Sequence, residues 1–251
     1  MIAIKNEHEL ESMRQACKIT AAARALAGEM VRPGVSTRSI DKAVHDFIVA
    51  QGAKPSFLNY NGFPASTCIS VNATVIHGIP GGYILKDGDI VSIDVGAYYK
   101  GFHGDCAATF ACGTISAEAE KLIDVTKQSF YEGLRFATPG HRVSDISHAI
   151  ETYVELNGFS VVRSFVGHGV GRQLHEEPEV PNFGKSGHGP RLLKGMTLAI
   201  EPMVNAGVYD VRVLKDGWTV LTADGKLSAH YENTVLITDG EPEILTVTEG
   251  L

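Results

Sequence analysis

The sequence predicts an α+β fold in which two pseudo-symmetric halves pack around a shared sheet. Three observations lead there. A segment from Pro33-Gly34 to Gly52 returns, displaced by 106 residues, as Pro139-Gly140 to Gly158. A strand-like run ending in a carboxylate occurs twice, as Leu85–Asp94 and Leu192–Glu201. Each of those runs follows a His-x-x-Pro motif, His77–Pro80 or His175–Pro178. One such match could arise by chance. The ordered set points to an internal duplication, approximately 33–112 and 139–240, within a single domain of residues 1–251.

Residues 7–30 read as a helix, with Leu10, Met13, Cys17 and Ala21 at helical spacing ahead of the Pro33-Gly34 break. In the repeated segment Ile40 falls on Ile146, Ala43 on Ala149, Val44 on Ile150 and Phe47 on Tyr153. Each copy is an amphipathic helix opened by a Pro-Gly turn and stopped by Gly52 or Gly158. Next, Gly88 turns the chain into Ile90-Val91-Ser92-Ile93 and the acid Asp94. Lys100-Gly101 reads as a two-residue hairpin turn, which sets Asp105 opposite Gly96. Side chains alternate faces along a strand, so Asp94 and Asp105 share one face. Gly96 between them leaves space for something other than a side chain. The second copy runs from Gly195 through Met196–Ile200 to Glu201, and a third apolar run, Val235-Leu236-Ile237, is entered through Glu232.

Composition bounds the function. With 251 residues, 44% hydrophobic and 20% charged, the chain can bury a substantial core. Lys5, Glu7, Glu9 and Glu11 near the start are unlike a secretory signal, and no window approaches the roughly 18 apolar residues of a membrane span. Cys17, Cys68, Cys106 and Cys112 lack C-x-x-C spacing, which predicts free thiols and a cytoplasmic protein. A net charge of −7 with scattered basic residues argues against a nucleic-acid surface.

Four acids at the ends of apolar runs are costly to bury alone. A divalent cation is the usual remedy for like charges held a few ångströms apart. His168 lies in Val166-Gly167-His168-Gly169-Val170-Gly171, where glycines let the backbone approach closely and free the imidazole. A phosphate-binding loop is the rival reading, but G-x-G-x-x-G is absent and no Lys-Ser/Thr follows. Four carboxylates and one imidazole suit two divalent ions such as manganese, iron, cobalt or zinc. Such ions lower the pKa of a shared water, so hydrolysis is the reaction class expected.

Asp94, Asp105, His168, Glu201 and Glu232 resemble the five metal ligands of the methionine aminopeptidase family. The surrounding segments match too: Asn72–Pro80 (NATVIHGIP), Gly88–Asp105, Gly167–Pro178 (GHGVGRQLHEEP), Ala199–Gly207 (AIEPMVNAG) and Trp218–Val235. The resemblance implies the pita-bread fold, in which the halves enclose a central curved antiparallel sheet. It also implies removal of the initiator methionine from nascent polypeptide N-termini, with a small second residue preferred. Asp94 would chelate one ion, Asp105 and Glu232 would bridge, and His168 and Glu201 would hold the other. Glu201 would accept a proton from the attacking water, His175 would hydrogen-bond the substrate carbonyl, and His77 would contact the scissile amide. Tyr60, Phe63, Cys68 and Trp218 would line the methionine pocket, where sulfur–aromatic contacts favour a thioether.

With Glu201 and Glu232 only 31 residues apart and no extension before the core, the chain looks like the short bacterial type I form. A monomer meeting its substrates at the ribosome, with no membrane partner, is expected. Leu174 stands where many bacterial members have an aromatic, Phe63 where tyrosine is common and His230 where glutamine is common. His103, in the hairpin beside Asp105, reads as a loop histidine rather than a sixth ligand. The rivals are an Xaa-Pro aminopeptidase or dipeptidase of the same fold, which normally carries a sizeable N-terminal domain, and a non-catalytic relative, which would have lost a ligand.

Overall fold

The computed structural model describes residues 2–248; Met1 and residues 249–251, at the ends of the expected domain, lie outside the described residues. Helix α1 (Glu7–Glu29) starts at a capping box, in which the Asn6 side chain accepts the Glu9 N–H and the Glu9 carboxylate accepts the Asn6 N–H. Its buried stripe includes Leu10, Met13, Cys17 and Ala21, the spacing expected from the sequence. Helix α2 (Thr37–Ala50) is capped by Ser36 and followed by β1 (Lys54–Pro55), a single 3₁₀ turn (Tyr60–Gly62), β2 (Thr67–Val71) and β3 (Thr74–Ile76). A long hairpin of β4 (Ile90–Tyr99) and β5 (Phe102–Ala111) leads to helices α3 (Ala117–Leu134) and α4 (Val143–Leu156).

The rest of the chain is short strands: β6 (Ser160–Val161), β7 (Gly167–Gly169), β8 (Glu176–Val180), β9 (Thr197–Ile200) and β10 (Met203–Asn205). The last five are β11 (Val211–Val213), β12 (Val220–Thr222), β13 (Ser228–His230), β14 (Asn233–Leu236) and β15 (Glu243–Ile244). All strand pairs are antiparallel.

Helices α2 and α4 have the same length, 14 residues, and begin and end 106 residues apart. Ile40, Val44 and Ile48 are fully buried in the first, as are Ile146, Ile150 and Val154 in the second. Burying each of these side chains contributes about 1.5–3 kcal/mol relative to exposure. The surrounding backbone corresponds as well. Leu85 N–H donates to Val35 O in one half, and Leu192 N–H donates to His141 O in the other, both at 2.9 Å. Two cores result. One packs α1 and α2 against β2 and β4, with Ala27, Ile40, Val44, Ile69 and Ile93. The other packs α3 and α4 against the later strands, with Phe130, Ile146, Ile150, Leu198 and Val235.

Among the described residues the hydrogen-bonded ladders fall into four sheets, and the two halves are joined at a seam. In one half β4 pairs β5 on one edge and β1 and β2 on the other; in the second half the order is β15-β14-β9-β7-β8. At the seam, Glu232 N–H donates to Ala107 O at 2.9 Å and Ala107 N–H donates to Glu232 O at 3.3 Å. Threonines extend it on both sides. The Thr234 hydroxyl accepts the Asp105 N–H and donates to the Asp105 carbonyl, while the Thr109 hydroxyl does the same for His230. Behind the seam, Arg24 on α1 donates to Glu232 O at 3.0 Å, Asn233 Oδ1 at 3.1 Å and Thr246 O at 3.2 Å.

Candidate metal centre

The β4–β5 hairpin places the first two acids. Lys100 (φ 48°) and Gly101 (φ 89°) form the two-residue turn with positive φ at both positions, as right-handed strand twist requires. The register then pairs Gly96 with Asp105 and Ala107 with Asp94, so both carboxylates lie on one face. Cys68 on β2 is opposite Asp94 on the other edge. The space expected at Gly96, however, is filled. A Cβ there would lie 2.7 Å from Phe57 Cε1 and 2.8 Å from Ser56 Cβ. The glycine admits the segment after β1, and the opening for a ligand is elsewhere.

The other two acids stand just outside their strands. Glu201 follows β9 directly, Glu232 immediately precedes β14, and the β9–β14 register of Asn233 with Ile200, continued by one, sets them opposite each other. His168 on β7 pairs with Ala199 of β9. Its glycine neighbours are needed for that approach: a Cβ at Gly167 would lie 2.4 Å from Ala199 O, and at Gly169 2.4 Å from Glu177 O. His168 Nδ1 lies 2.9 Å from Gly169 O. A carbonyl only accepts, so Nδ1 carries the proton and Nε2 keeps the lone pair. That nitrogen is 3.4 Å from Glu201 Oε1 and 3.8 Å from Asp105 Oδ2.

These five side chains line a cavity of about 270 Å³, near the small end of small-molecule sites. His77, His175, Tyr60, Phe63, Cys68 and Trp218 also line it, so every site residue expected from the sequence is in one place. His77 follows β3 with a left-handed backbone (φ 57°), and His175 precedes β8. Tyr60 Oη is 2.7 Å from His175 Nδ1. Trp218 sits between β11 and β12, where the Asp216 carboxylate accepts the N–H groups of Trp218 and Thr219. Its ring meets Phe63 edge-on at 5.2 Å and His77 at 6.2 Å.

Sequence reasoning missed Phe57, Ile76, Phe165 and Val166, which line the same cavity. The available signal was position: Phe165-Val166 directly precede Gly167-His168, and Ile76 precedes His77. His103 is the second residue of β5 rather than part of a loop. Its Nδ1 is 2.9 Å from Ser56 Oγ, its ring lies against Tyr98, and it is outside the cavity lining.

Burial dominates the electrostatics. It pushes the Asp94 carboxyl up to about 7, and burial plus its acidic neighbours hold Asp105 well above the usual carboxylate range. Glu201 and Glu232 are raised in the same way, by burial first. Burial lowers the imidazoles instead, His77 to about 4 and His168 to about 3, which keeps both neutral at pH 7. Cys68 is held as a thiol by burial and the nearby acids, so it lines the pocket as a small apolar group.

The donor set fits divalent cations. Asp94 Oδ1, Asp105 Oδ1 and Glu232 Oε1 are buried with no hydrogen-bond partner, an arrangement costly for carboxylates unless a cation joins them. Asp105 is 4% exposed and Glu232 2%, so bulk water does not relieve them. The ligand atoms of Asp105, His168 and Glu232 lie within 4.8 Å of one another, as do those of Glu201, His230 and Glu232.

Convergent acids and a neutral imidazole beside an aromatic cavity define a metal-dependent hydrolase, and comparison with known proteins agrees. The sequence matches the model of metallopeptidase family M24 over residues 11–239, and the chain belongs to that family. Its likeness is to the bacterial methionine aminopeptidases in particular. The methionine aminopeptidase of Clostridium perfringens is 60% identical over 98% of this chain and 99% of its own length. The crystal structure of methionine aminopeptidase from Rickettsia prowazekii superposes with a TM-score of 0.97 at 42% identity, covering 98% of this chain and 100% of that one. A prolidase from Pyrococcus furiosus, at 24% identity and a TM-score of 0.80, shares the pita-bread fold over 98% of this chain and 66% of its own.

Proposed function

We propose that this chain removes the N-terminal methionine from nascent polypeptides, using two divalent ions held by Asp94, Asp105, His168, Glu201 and Glu232. The observation that carries this reading is the convergence of four acids, three of them (Asp94, Asp105 and Glu232) with an unpartnered buried oxygen, in a cavity also lined by Phe63, Trp218 and Tyr60. We assign Asp94 to one ion, His168 and Glu201 to the other, and Asp105 and Glu232 to both. The reading treats residues 1–251 as one catalytic unit built by duplication, since the two halves supply ligands to a single centre.

When bound, the ions lower the pKa of a water towards neutrality and polarise the scissile carbonyl. The remaining work falls to the protein. Glu201 accepts the proton released by the attacking water. Tyr60 Oη lies 2.7 Å from His175 Nδ1; in the tautomer where Nδ1 accepts the Tyr60 O–H, Nε2–H of His175 donates to the carbonyl oxygen as it gains charge. His77, neutral at pH 7, contacts the scissile amide. Phe63, Cys68 and Trp218 take the thioether by dispersion and sulfur–aromatic contact. The preference for a small second residue follows from the likeness to the methionine aminopeptidases. No described helix is long and apolar enough to cross a membrane. A cytoplasmic monomer acting near the ribosome fits such a substrate, and manganese, iron, cobalt and zinc all suit the donors.

The test offers Met-Gly-Ser and Ala-Pro peptides to the metal-loaded protein. Cleavage of the first by at least tenfold preference is expected. Preference for the second would make the chain an Xaa-Pro peptidase.

A further inference from the structure

His230 closes β13, two residues ahead of Glu232, and is 2% exposed. Its backbone is fixed by the first half, because the Thr109 hydroxyl accepts the His230 N–H and donates to the His230 carbonyl, both at 2.9 Å. The Nε2 atom lies 3.7 Å from Glu201 Oε2 and 4.0 Å from Glu232 Oε2, and it has no hydrogen-bond partner. Neither tautomer is satisfied by the protein alone. A proton on Nε2 falls short of both carboxylates, since N–H···O bonds span about 2.7–3.2 Å. A lone pair there faces two carboxylate oxygens, both beyond hydrogen-bond distance.

His168 shows the same pattern of spacing, 3.4 and 3.8 Å to its two carboxylates, from a nitrogen whose lone pair is fixed by Gly169 O. Two donors each about 2.1 Å from one ion are separated by about 3.0 Å at a right angle and about 4.2 Å when opposite. All four separations fall inside that interval. The imidazoles also divide the Glu201 carboxylate between them, His168 against Oε1 and His230 against Oε2. Adding a neutral nitrogen to a group of four acids supplies a donor with no further repulsion.

We infer that His230 is a sixth protein ligand of the centre, binding through Nε2 an ion held by Glu201 and Glu232. The inference rests on the dinuclear reading above. It gives the centre two nitrogens, which shifts its preference from manganese towards cobalt and zinc.

Proton NMR of the full-length Co²⁺-loaded protein tests it, because ring protons of a directly bound imidazole are displaced far outside the ordinary range. Two displaced imidazole sets, each with an exchangeable N–H, are expected. His230→Gln removes one set, leaves that of His168, and weakens one ion by roughly tenfold in a chelator competition. The wild-type count decides even if the variant fails to fold. A single displaced set in the wild type, unchanged in the variant, overturns the assignment. A protein that takes up no ion and shows no displaced set would instead overturn the dinuclear reading itself, so the two failures are told apart.

Discussion

Replacing Arg24 with alanine probes how firmly the two halves are joined behind the centre. Its guanidinium donates to Glu232 O at 3.0 Å, Asn233 Oδ1 at 3.1 Å, Thr246 O at 3.2 Å and, most weakly, Ala107 O at 3.4 Å. Bonds from a charged donor contribute about 1.5–3 kcal/mol each, so four independent ones would sum to about 6–12 kcal/mol. That sum overshoots, because three acceptors keep a second donor. Ala107 O retains the Glu232 N–H, Glu232 O retains the Ala107 N–H, and Asn233 Oδ1 retains the Thr246 hydroxyl at 2.9 Å. Among the described residues, Arg24 is the one donor to Thr246 O, at 3.2 Å. A loss of about 2–4 kcal/mol follows, close to that of one orphaned carbonyl plus one charged bond. In urea unfolding, with a slope of about 2–3 kcal/mol/M, the midpoint should fall by about 1 M at unchanged slope. Glu232 is placed by the same contacts, so ion affinity should drop by roughly tenfold. Arg24→Lys keeps the charge without the fork and should fall between. A midpoint within about 0.2 M of wild type, with unaltered ion affinity, would show that the strand pairing alone carries the join.

Four further outcomes are expected. Glu201→Gln should lower turnover by about 10²–10⁴ while the circular dichroism spectrum stays unchanged; near-normal turnover refutes its role as proton acceptor. Chelation should lower Tm, since each ion at a hundredfold excess over its Kd stabilises by about 2.7 kcal/mol, or roughly 5–10 °C here. An unmoved Tm would mean that the acids are relieved without a cation. Trp218→Ala should reduce kcat/KM on a methionyl peptide by about tenfold or more, chiefly through KM; an unchanged value would make the tryptophan simple core. Arg14 forks onto Glu243 at 2.8 and 2.8 Å and holds that carboxyl below its ordinary value of 4.5. A lowered folded pKa stabilises above the unfolded value and is lost as pH falls through the folded one. The unfolding free energy of wild type should thus exceed that of Arg14→Ala by about 0.5–1 kcal/mol at pH 7, shrinking below pH 4.5. A gap constant down to pH 3 refutes the pair.

The parts of the centre that sequence made legible are those governed by local rules. The Lys100-Gly101 turn and the period-two alternation were enough to bring Asp94 and Asp105 to one face. The glycines around His168 announced close backbone approach, which the Ala199 and Glu177 carbonyls now explain. Local rules failed at Gly96, where the neighbour that requires a glycine is Ser56-Phe57, some forty residues earlier in the chain. They failed also for Phe57, Ile76 and Phe165, since an apolar residue beside a cavity and one in a core carry the same sequence signal. Arg24 illustrates the opposite case. On a helix it reads as a solvated charge, and only the fold shows it reaching carbonyls more than two hundred residues away.

The order in which the chain is made gives such distant contacts another meaning. Lys5 bonds to Gly195 O and pairs with Glu176, Asp105 with Thr234, and Arg24 with Thr246. Early residues are thus held by late ones, and a topology of this kind delays folding until loop closure over most of the length has been paid for. Asp94 and Asp105 belong to the first half and Glu201 and Glu232 to the second, so the β4–β5 hairpin alone does not gather the four acids. The crowding of charge is complete only when β14 arrives at the seam, so the moment of greatest demand for a cation is also the moment at which the binding cage closes.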